Sequence, residues 1–372
     1  MTRFTDWLDE RAAAREDAGL TRRLFPSDAT PMIDLAGNDY LGLSRHPRVV
    51  AAAAAAAGRH GAGAGASRLV TGTLSVHEEL ERTLASFTGF RAALALSTGY
   101  HANLAVVSAL ADADTLIVSD AHVHASMIDA CRLSRGAVTV VPHNDVAAVE
   151  RFLASRSQSR AIVLVETIYS VLGDAAPVAE LADVCARHDA VLVADEAHAL
   201  GVCGTDGRGL LHGAGLTDSD HVVATLTLSK SLGSQGGAVL SSPAVREHLV
   251  NTARPFIYDT GLAPASAGAA IAALSLVAQE PERVVKVREI ARALAKAGGV
   301  PEADGAVLAI AMPGPREAVD AVARAAAQGV RIGCFRPPST PDGISRLRLT
   351  AHAHLTDDEV AHATSVVESL VG

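Results

Sequence analysis

Short apolar runs recur along the middle of this chain, and each is separated from the next by a helical stretch or a turn cluster. The runs lie at residues 92–96, 116–118, 138–141, 161–165, 190–194, 222–228 and 237–240. Strands of a parallel sheet are apolar throughout, because helices cover both of their faces. The pattern therefore predicts an α/β fold with a large, mostly parallel sheet.

The texture of the sequence changes after about residue 281. From there on it predicts a helix, a strand, a second helix and two further short strands, which is typical of a smaller α+β domain. The first residues mix apolar and charged positions at helical spacing and predict a surface helix. We therefore expect an N-terminal helical segment at residues 1–36, a large domain at 37–281 and a small C-terminal domain at 282–372.

Polar residues follow several of the apolar runs. They are Ser97, Asp120, Glu166, Asp195 and Ser229. The carboxyl ends of parallel strands meet at one edge of a sheet, where catalytic groups of such folds gather. The sequence therefore predicts a functional site at this edge.

Lys230 and Asp195 are the most informative pair among these strand ends. Lys230 closes the segment ATLTLSK, and Asp195 opens the string DEAH, which ends at His198. A lysine beside Ser and Thr suits an imine to a phosphate-bearing cofactor, and an aspartate at a strand end suits a charge held against a pyridinium nitrogen. His198 can face the same cofactor edge. Together these residues predict pyridoxal phosphate; the alternative is two ordinary strand ends of an α/β protein.

Three further segments fit such a cofactor. Gly99 and Tyr100 begin a helix after the run 92–96, where backbone N–H groups bind phosphate well, although an ordinary capped turn is the alternative. His124 can stack on a pyridine ring and assist proton transfer, whereas a lone histidine is more often a surface residue. Ser170 can donate its hydroxyl to a phosphate, or simply form a turn before Gly173.

The segment RPPSTP at residues 336–341 precedes a predicted strand. Its prolines fix φ, so neighbouring polar groups are presented with little loss of entropy. Arg336 can bind a carboxylate through two parallel hydrogen bonds, and Ser339 lies beside it. An ordered surface loop is the alternative.

Nucleotide-binding motifs do not account for the chain. The glycine-rich stretch GRHGAGAG at 58–65 follows an alanine-rich helix rather than a strand, which disfavours a dinucleotide loop. The DEAH string resembles a helicase box, but the sequence has no GxxxxGK[ST] segment. An ATPase is therefore excluded.

Composition limits the partners and the compartment. The formal net charge of −9 argues against a nucleic-acid partner. Four cysteines without CxxC spacing predict neither a disulfide framework nor a metal site, and favour a reducing cytoplasm. The first ten residues lack the apolar core of a secretory leader. The most apolar stretch, 262–278, predicts a buried helix at a subunit contact rather than a membrane span.

Motifs along most of the chain, from about residue 20 onward, resemble the α-oxoamine synthases of the fold-type I pyridoxal-phosphate superfamily. The motifs are GNDYLGLS (37–44), GASRLVTGT (65–73), HASM (124–127), HND (143–145), DEAHALGVCG (195–204), TLSKSLGSQGG (227–237) and RPPSTP (336–341). The chain departs from the family pattern at Leu172, where an Asp is common, and at Gly37, where a Ser is common. Both departures bear on substrate preference.

This resemblance implies a homodimer with active sites at the interface and a role for each matched cofactor residue. Lys230 would link to the cofactor and then remove the Cα proton of an amino acid, Asp195 would stabilise the pyridinium, His198 would contact the ring 3-oxygen, and His124 would stack on the ring. The residues implied to hold the phosphate are Gly99, Tyr100, Ser170 and Thr227.

The resemblance also implies substrate contacts and a reaction. Arg336 would hold the amino-acid carboxylate, Asn38 would assist near the thioester, Arg22 would meet the distal carboxylate of a pimeloyl chain, and Ser339 would contact the substrate or the partner subunit's site. The length and the C-terminal motifs favour family members that condense L-alanine with a pimeloyl thioester in biotin biosynthesis. A glycine-using relative, a pyridoxal aminotransferase and a catalytically silent subunit are the alternatives.

Overall fold

The computed structural model describes residues 2–22, 24, 26, 30–337 and 339–371. The strands within these residues are β1 (Ile33–Leu35), β2 (Ala92–Leu96), β3 (Thr115–Asp120), β4 (Ala137–Val141), β5 (Arg160–Glu166), β6 (Val191–Asp195), β7 (Val222–Thr227), β8 (Gly237–Ser241), β9 (Val307–Ala311), β10 (Val330–Phe335) and β11 (Arg346–Thr350). The helices are α1 (Arg3–Asp17), α2 (Pro47–His60), α3 (Ser75–Thr88), α4 (Gly99–Leu110), α5 (Ala125–Leu133), α6 (Val146–Ser155), α7 (Val178–Arg187), α8 (Leu210–Gly213), α9 (Pro243–Thr252), α10 (Arg254–Ile257), α11 (Pro264–Gln279), α12 (Glu282–Ala297), α13 (Pro315–Ala327) and α14 (Asp357–Val371).

Strands β2 to β8 form a seven-stranded sheet in the order β2-β8-β7-β6-β5-β3-β4. The pairs from β4 through β7 are parallel, whereas β8 is antiparallel to both of its neighbours. In β6, Leu192 and Ala194 belong to one buried cluster and Val193 belongs to another. Successive side chains of a strand point to opposite faces, so both faces of the sheet are covered. The predicted mostly parallel α/β sheet is confirmed.

A second, smaller sheet has the order β1-β10-β11-β9. Strand β1 runs parallel to β10, with Ile33 opposite Val330. The other three strands lie within the predicted C-terminal domain, so the two ends of the chain share one sheet. As a result Asn38, which follows β1, lies beside β11, where its side-chain oxygen accepts a hydrogen bond from Arg348 at 3.2 Å.

Helix α11 is the helix predicted from the apolar stretch 262–278, and most of its side chains are buried. A Cβ atom on Gly268 would lie 2.6 Å from Cβ of Ala56, so glycine is what lets α11 pack this closely against α2. Among the described residues, no helix is long and apolar enough to cross a membrane.

Candidate active site at the strand ends

The carboxyl ends of β5, β6 and β7 lie side by side and carry the central groups of the site. Glu166 is the register partner of Asp195, and Asp195 is the partner of Thr225. The Asp195 side chain is buried, and both of its carboxylate oxygens accept hydrogen bonds: Oδ2 from Asn103 Nδ2 at 2.7 Å, and Oδ1 from the backbone N–H of Ala197 at 2.9 Å. These two donors fix the orientation of the carboxylate.

Lys230 and His198 are in direct contact. Lys230 Nζ lies 2.7 Å from His198 Nε2, and His198 Nδ1 lies 2.6 Å from the Tyr40 hydroxyl. Tyr40 donates its own hydrogen to Asn38 Oδ1 at 3.0 Å, so its oxygen accepts the hydrogen of His198 Nδ1. The remaining ring nitrogen, Nε2, is therefore the acceptor that faces Lys230.

The surroundings of Lys230 favour its neutral form. Burial, with a contribution from the Arg348 charge, lowers the pKa of Lys230 to about 8, although the Asp195 and Glu166 carboxylates act in the opposite direction. Burial and the Lys230 charge also hold the pKa of His198 well below its usual range. A lysine that is partly neutral near physiological pH is a nucleophile for carbonyl groups.

Glu166 and Arg348 are two further buried charged residues near Lys230. Burial, followed by the nearby Asp195 charge, raises the pKa of Glu166 to about 8. Glu166 accepts hydrogen bonds from the backbone N–H of Ser170 at 2.9 Å and from its hydroxyl at 3.3 Å. The buried Arg348 donates to the Ser170 carbonyl at 2.6 Å. Ser170 thus lies beside Glu166 and Arg348, and its predicted contact with a phosphate stays a prediction.

Gly99, Tyr100 and Thr227 form a corner at the start of α4. The first N–H groups of a helix have no acceptor within it, so they are available to an anion. A Cβ atom on Gly99 would lie 3.0 Å from Cβ of Thr227, and one on Gly237 would lie 2.4 Å from the Gly99 nitrogen. The Thr227 hydroxyl lies 2.6 Å from that of Ser229. This corner combines backbone N–H donors and hydroxyl groups with two glycines, Gly99 and Gly237, at which a side chain would not fit.

His124 caps the start of α5. Its Nδ1 accepts a hydrogen bond from the backbone N–H of Ser126 at 3.2 Å and lies 2.7 Å from the Ser126 hydroxyl. The rings of His124 and Tyr100 are 6.4 Å apart and nearly perpendicular. His124 therefore lies next to Tyr100, one of the predicted phosphate ligands at the α4 corner.

The predicted substrate residues near the two chain ends meet one another. Arg22 donates a hydrogen bond to the Ser339 hydroxyl at 3.1 Å, and Arg336 donates to the carbonyl of Gly19. Among the described residues, neither arginine contacts Lys230 directly. Phe335, which precedes Arg336 in the chain, has its ring 5.3 Å from the guanidinium carbon of Arg348.

No role was predicted from the sequence for several residues of this network, namely Asn103, Ser126, Thr225, Tyr40 and Arg348. Glu166 was predicted only to lie at the sheet edge that carries the site. Asn103 interrupts the apolar helix GYHANLAVV, and a polar residue on a buried helical face is a signal that could have indicated it. Arg348 alternates with leucines in a strand that is buried throughout. Only the three-dimensional structure joins these residues to Lys230.

The two departures from the family pattern, Leu172 and Gly37, contact the hydrophobic core and Asp34, respectively. Leu172 packs against the main hydrophobic core. A Cβ atom on Gly37 would lie 2.9 Å from a carboxylate oxygen of Asp34, which accepts a hydrogen bond from the Gly37 N–H at 3.1 Å through its other oxygen. Neither position contacts Lys230, Asp195 or His198 among the described residues.

Comparison with known proteins shows which family this chain resembles over most of its length. The model of the family described as aminotransferase class I and II matches residues 30–367. The chain is 53% identical to the 8-amino-7-oxononanoate synthase of Mycolicibacterium gilvum (strain PYR-GCK) over 98% of this chain and 97% of that protein. It is also 53% identical to the enzyme of the same name from Mycobacterium sp. (strain KMS), over 98% of this chain and 96% of that one.

A solved structure agrees with these sequence matches. Serine palmitoyltransferase from S. paucimobilis, described with a bound PLP–myriocin aldimine, superposes with a TM-score of 0.91 at 29% identity and covers 98% of this chain and 96% of its own. The fold-type I architecture expected from the motifs is thereby confirmed. The chain belongs to the aminotransferase class I and II family.

Proposed function

We propose that this protein is a pyridoxal-phosphate-dependent acyltransferase of biotin biosynthesis. It condenses L-alanine with pimeloyl-CoA, or with the pimeloyl thioester of a carrier protein, to give 8-amino-7-oxononanoate, the free thiol and CO2. The observation that carries the proposal is the contact between Lys230 and His198 beside Asp195, in a chain about half identical over nearly its whole length to proteins named for this activity.

The donor set of the site fits pyridoxal phosphate. Lys230 supplies an amine for the aldehyde, Asp195 supplies an oriented carboxylate for the ring nitrogen, and the α4 corner supplies N–H and hydroxyl donors for the phosphate through Gly99, Tyr100 and Thr227. Ser170 is the fourth proposed phosphate ligand. When bound, the cofactor supplies an electron sink that makes a Cα–H bond acidic. His124 is proposed to stack on its ring, and His198 to contact its 3-oxygen.

The proton chemistry belongs to Lys230. With a pKa of about 8, its Nζ can both accept and return a proton near neutral pH, as a general base and acid must. His198 is neutral and accepts a hydrogen bond through Nε2, which keeps the lysine nitrogen aimed along one direction. Asp195 offsets positive charge from a buried position.

Substrate selection is assigned to the residues around this centre. Arg336 binds the amino-acid carboxylate, and Asn38 assists near the thioester carbonyl. Arg22 binds the distal carboxylate of the pimeloyl chain, and its hydrogen bond to Ser339 places it within reach of the RPPSTP segment. A C7 diacid has a charge at its far end, which a guanidinium recognises and a purely apolar pocket does not.

The active form is proposed to be a homodimer in the cytoplasm. An isolated bridge pairs Ser67 with Thr260, so two loops lie side by side, and Leu69, Val70 and Tyr258 on them are half or more exposed. Exposed apolar side chains grouped in this way are typical of subunit contacts. The four cysteines are free thiols, which suits a reducing compartment. Size-exclusion chromatography with light scattering tests the dimer, which Val70→Asp is expected to weaken.

The activity is tested by supplying the cofactor-loaded protein with pairs of substrates. L-alanine with pimeloyl-CoA should release CoA, and CO2 from [1-13C]alanine, in equal amounts. Glycine with acetyl-CoA or succinyl-CoA should give much slower release. Faster turnover of a glycine pair would overturn the substrate assignment and favour a glycine-using relative. Formation of the amine form of the cofactor without thiol release would indicate an aminotransferase.

A further inference from the structure

We propose that Asn103 is a positioning residue that orients both Asp195 and His124 through a single buried side-chain amide. The inference deepens the proposed function, because it names a residue that holds two of the groups assigned to the cofactor. Nothing in the sequence motifs assigns Asn103 a role beyond its place in α4.

Every hydrogen-bonding position that Asn103 offers to this cluster is filled. Nδ2 donates to Asp195 Oδ2 at 2.7 Å and to Ser126 Oγ at 2.9 Å, while Oδ1 accepts from the Thr225 hydroxyl at 2.6 Å. Asn103, Ser126 and Thr225 are all buried at 1% exposure or less. Rotating the amide by half a turn would place its oxygen against the Asp195 carboxylate, so one orientation is strongly favoured.

The same amide holds the hydroxyl that meets His124. Ser126 Oγ accepts from Asn103, and the Ser126 backbone N–H donates to His124 Nδ1 at 3.2 Å. That nitrogen is therefore an acceptor, and the Ser126 hydroxyl, 2.7 Å away, donates its own hydrogen to it. With two donors directed at it, Nδ1 carries no hydrogen. The neutral ring therefore has its hydrogen on Nε2, which has no hydrogen-bond partner among the described residues.

Three side chains from three elements thus meet at Asn103. Asp195 lies at the end of β6, Thr225 near the end of β7, and Ser126 in the first turn of α5. One amide therefore ties the carboxylate proposed to face the ring nitrogen to the imidazole proposed to lie on the ring face. If it is removed, Asp195 loses one of the two donors that the described residues give its carboxylate and keeps the Ala197 N–H, and Ser126 Oγ loses the donor that ties it to α4.

The first test replaces the amide with an apolar side chain of similar size, Asn103→Leu. Binding of pyridoxal phosphate to the cofactor-free protein should weaken by about 10-fold or more, since a hydrogen bond to a charged group is lost. The midpoint of the pH-dependent absorbance change of the bound cofactor should shift. Thr88→Val, which removes another buried hydroxyl that donates to the Leu84 carbonyl, is the control and should change neither reading.

Ser126→Ala tests the contact of Asn103 with Asp195 separately from its indirect contact with His124 through Ser126. It leaves the bond from Asn103 to Asp195 intact, so cofactor affinity should stay within about twofold of wild type, whereas the His124 15N signals should change. In the wild-type protein, 15N-histidine NMR, assigned with His124→Gln, should show Nδ1 without hydrogen and Nε2 with it.

Two results would overturn the inference. One is an Asn103→Leu protein that binds the cofactor with wild-type affinity and wild-type pH dependence; the other is a wild-type His124 with its hydrogen on Nδ1. If Asn103→Leu does not fold, two other experiments still test the inference. They are the cofactor affinity of Thr225→Val, which removes the hydroxyl that donates to Asn103 Oδ1, and the NMR measurement on the wild-type protein. None of these readings depends on turnover, so a failed condensation assay would reject the proposed function and leave the role of Asn103 to be judged separately.

Discussion

Lys230 Nζ lies 2.7 Å from Nε2 of His198, and the other nitrogen of that ring is held by the Tyr40 hydroxyl at 2.6 Å. Lys230 is therefore oriented by a neutral His198, whose hydrogen is on Nδ1 and whose Nε2 accepts from the lysine. Tyr40 in turn depends on Asn38, which follows β1. The hydrogen bonds from Lys230 thus reach the segment after β1, a strand near the N-terminus that pairs with β10 near the C-terminus.

Replacing Lys230 with alanine should lower kcat by more than about 1000-fold, because the protein loses both its link to the cofactor and its general base. Steady-state CoA release with L-alanine and pimeloyl-CoA measures the loss. Lys296→Ala, at an exposed position on α12, is the matched control and should retain wild-type kcat. A Lys230→Ala protein with near-normal kcat would contradict the proposed mechanism.

The rate at which cofactor-free protein takes up pyridoxal phosphate should rise with pH and level off above about 8. Only the neutral amine attacks the aldehyde, and the pKa of Lys230 is lowered to about 8 from the ordinary 10.5. Stopped-flow absorbance at a series of pH values measures this rate. A rate that keeps rising steeply toward pH 10.5 would show that the site does not lower the pKa of Lys230.

Glu166→Gln should change how stability depends on pH. The pKa of Glu166 is raised to about 8 from 4.5, so the folded protein holds a proton that the unfolded chain releases in that interval. The wild-type free energy of unfolding, relative to Glu166→Gln, should therefore fall as pH rises from about 4.5 to about 8 and stay level above it. Urea denaturation of both cofactor-free proteins measures the difference. A difference that does not vary with pH would refute the raised pKa.

Arg22→Met should raise KM for pimeloyl-CoA by about 10-fold or more while leaving kcat nearly unchanged, because a charge-assisted contact with the distal carboxylate is lost. Heptanoyl-CoA has the same chain length without that carboxylate, so its KM should not respond to the substitution. Arg3→Met, at an exposed position of α1, is the control. Equal effects on both thioesters would place the distal carboxylate elsewhere.

Glu81→Gln should lower the free energy of unfolding by about 3–5 kcal/mol, since it leaves buried arginine charge without its partner. Glu81 lies 2.9 Å from both Arg68 and Arg246, and Arg68 belongs to the GASRLVTGT motif near the site. Glu280→Gln breaks a more exposed pair with Arg283 and should cost less than about 1 kcal/mol. Chemical denaturation compares the two, and similar losses would contradict the buried-pair argument.

The large sheet could be predicted from sequence because its strands are buried on both faces and so appear as unbroken apolar runs. Lys230, Asp195 and His198 could be predicted for a related reason, since polar residues immediately after such runs must meet at one sheet edge. In the structure Lys230 contacts His198, and a hydrogen bond from Asn103 orients Asp195, while the roles of these residues toward a cofactor stay predictions.

The supporting residues could not be predicted, because their partners are far away in the chain. Asn103 meets Asp195 across 92 positions, and Arg348 meets Asn38 across 310. The parallel pairing of β1 with β10 depends on how the two chain ends pack, and a three-residue strand gives little periodic signal. Spacing within a segment describes local structure, whereas these contacts follow from the order of strands in the sheets.

The most direct test of the account is to identify the residue that binds the cofactor. The purified protein is incubated with pyridoxal phosphate, reduced with borohydride and digested, and the labelled peptide is identified by mass spectrometry. The sequence contains three lysines, Lys230, Lys286 and Lys296, so the assignment is unambiguous. The account predicts one label per chain, on Lys230, and its loss when L-alanine is added before reduction. Label on another lysine, or no label, would contradict the assignment of this site.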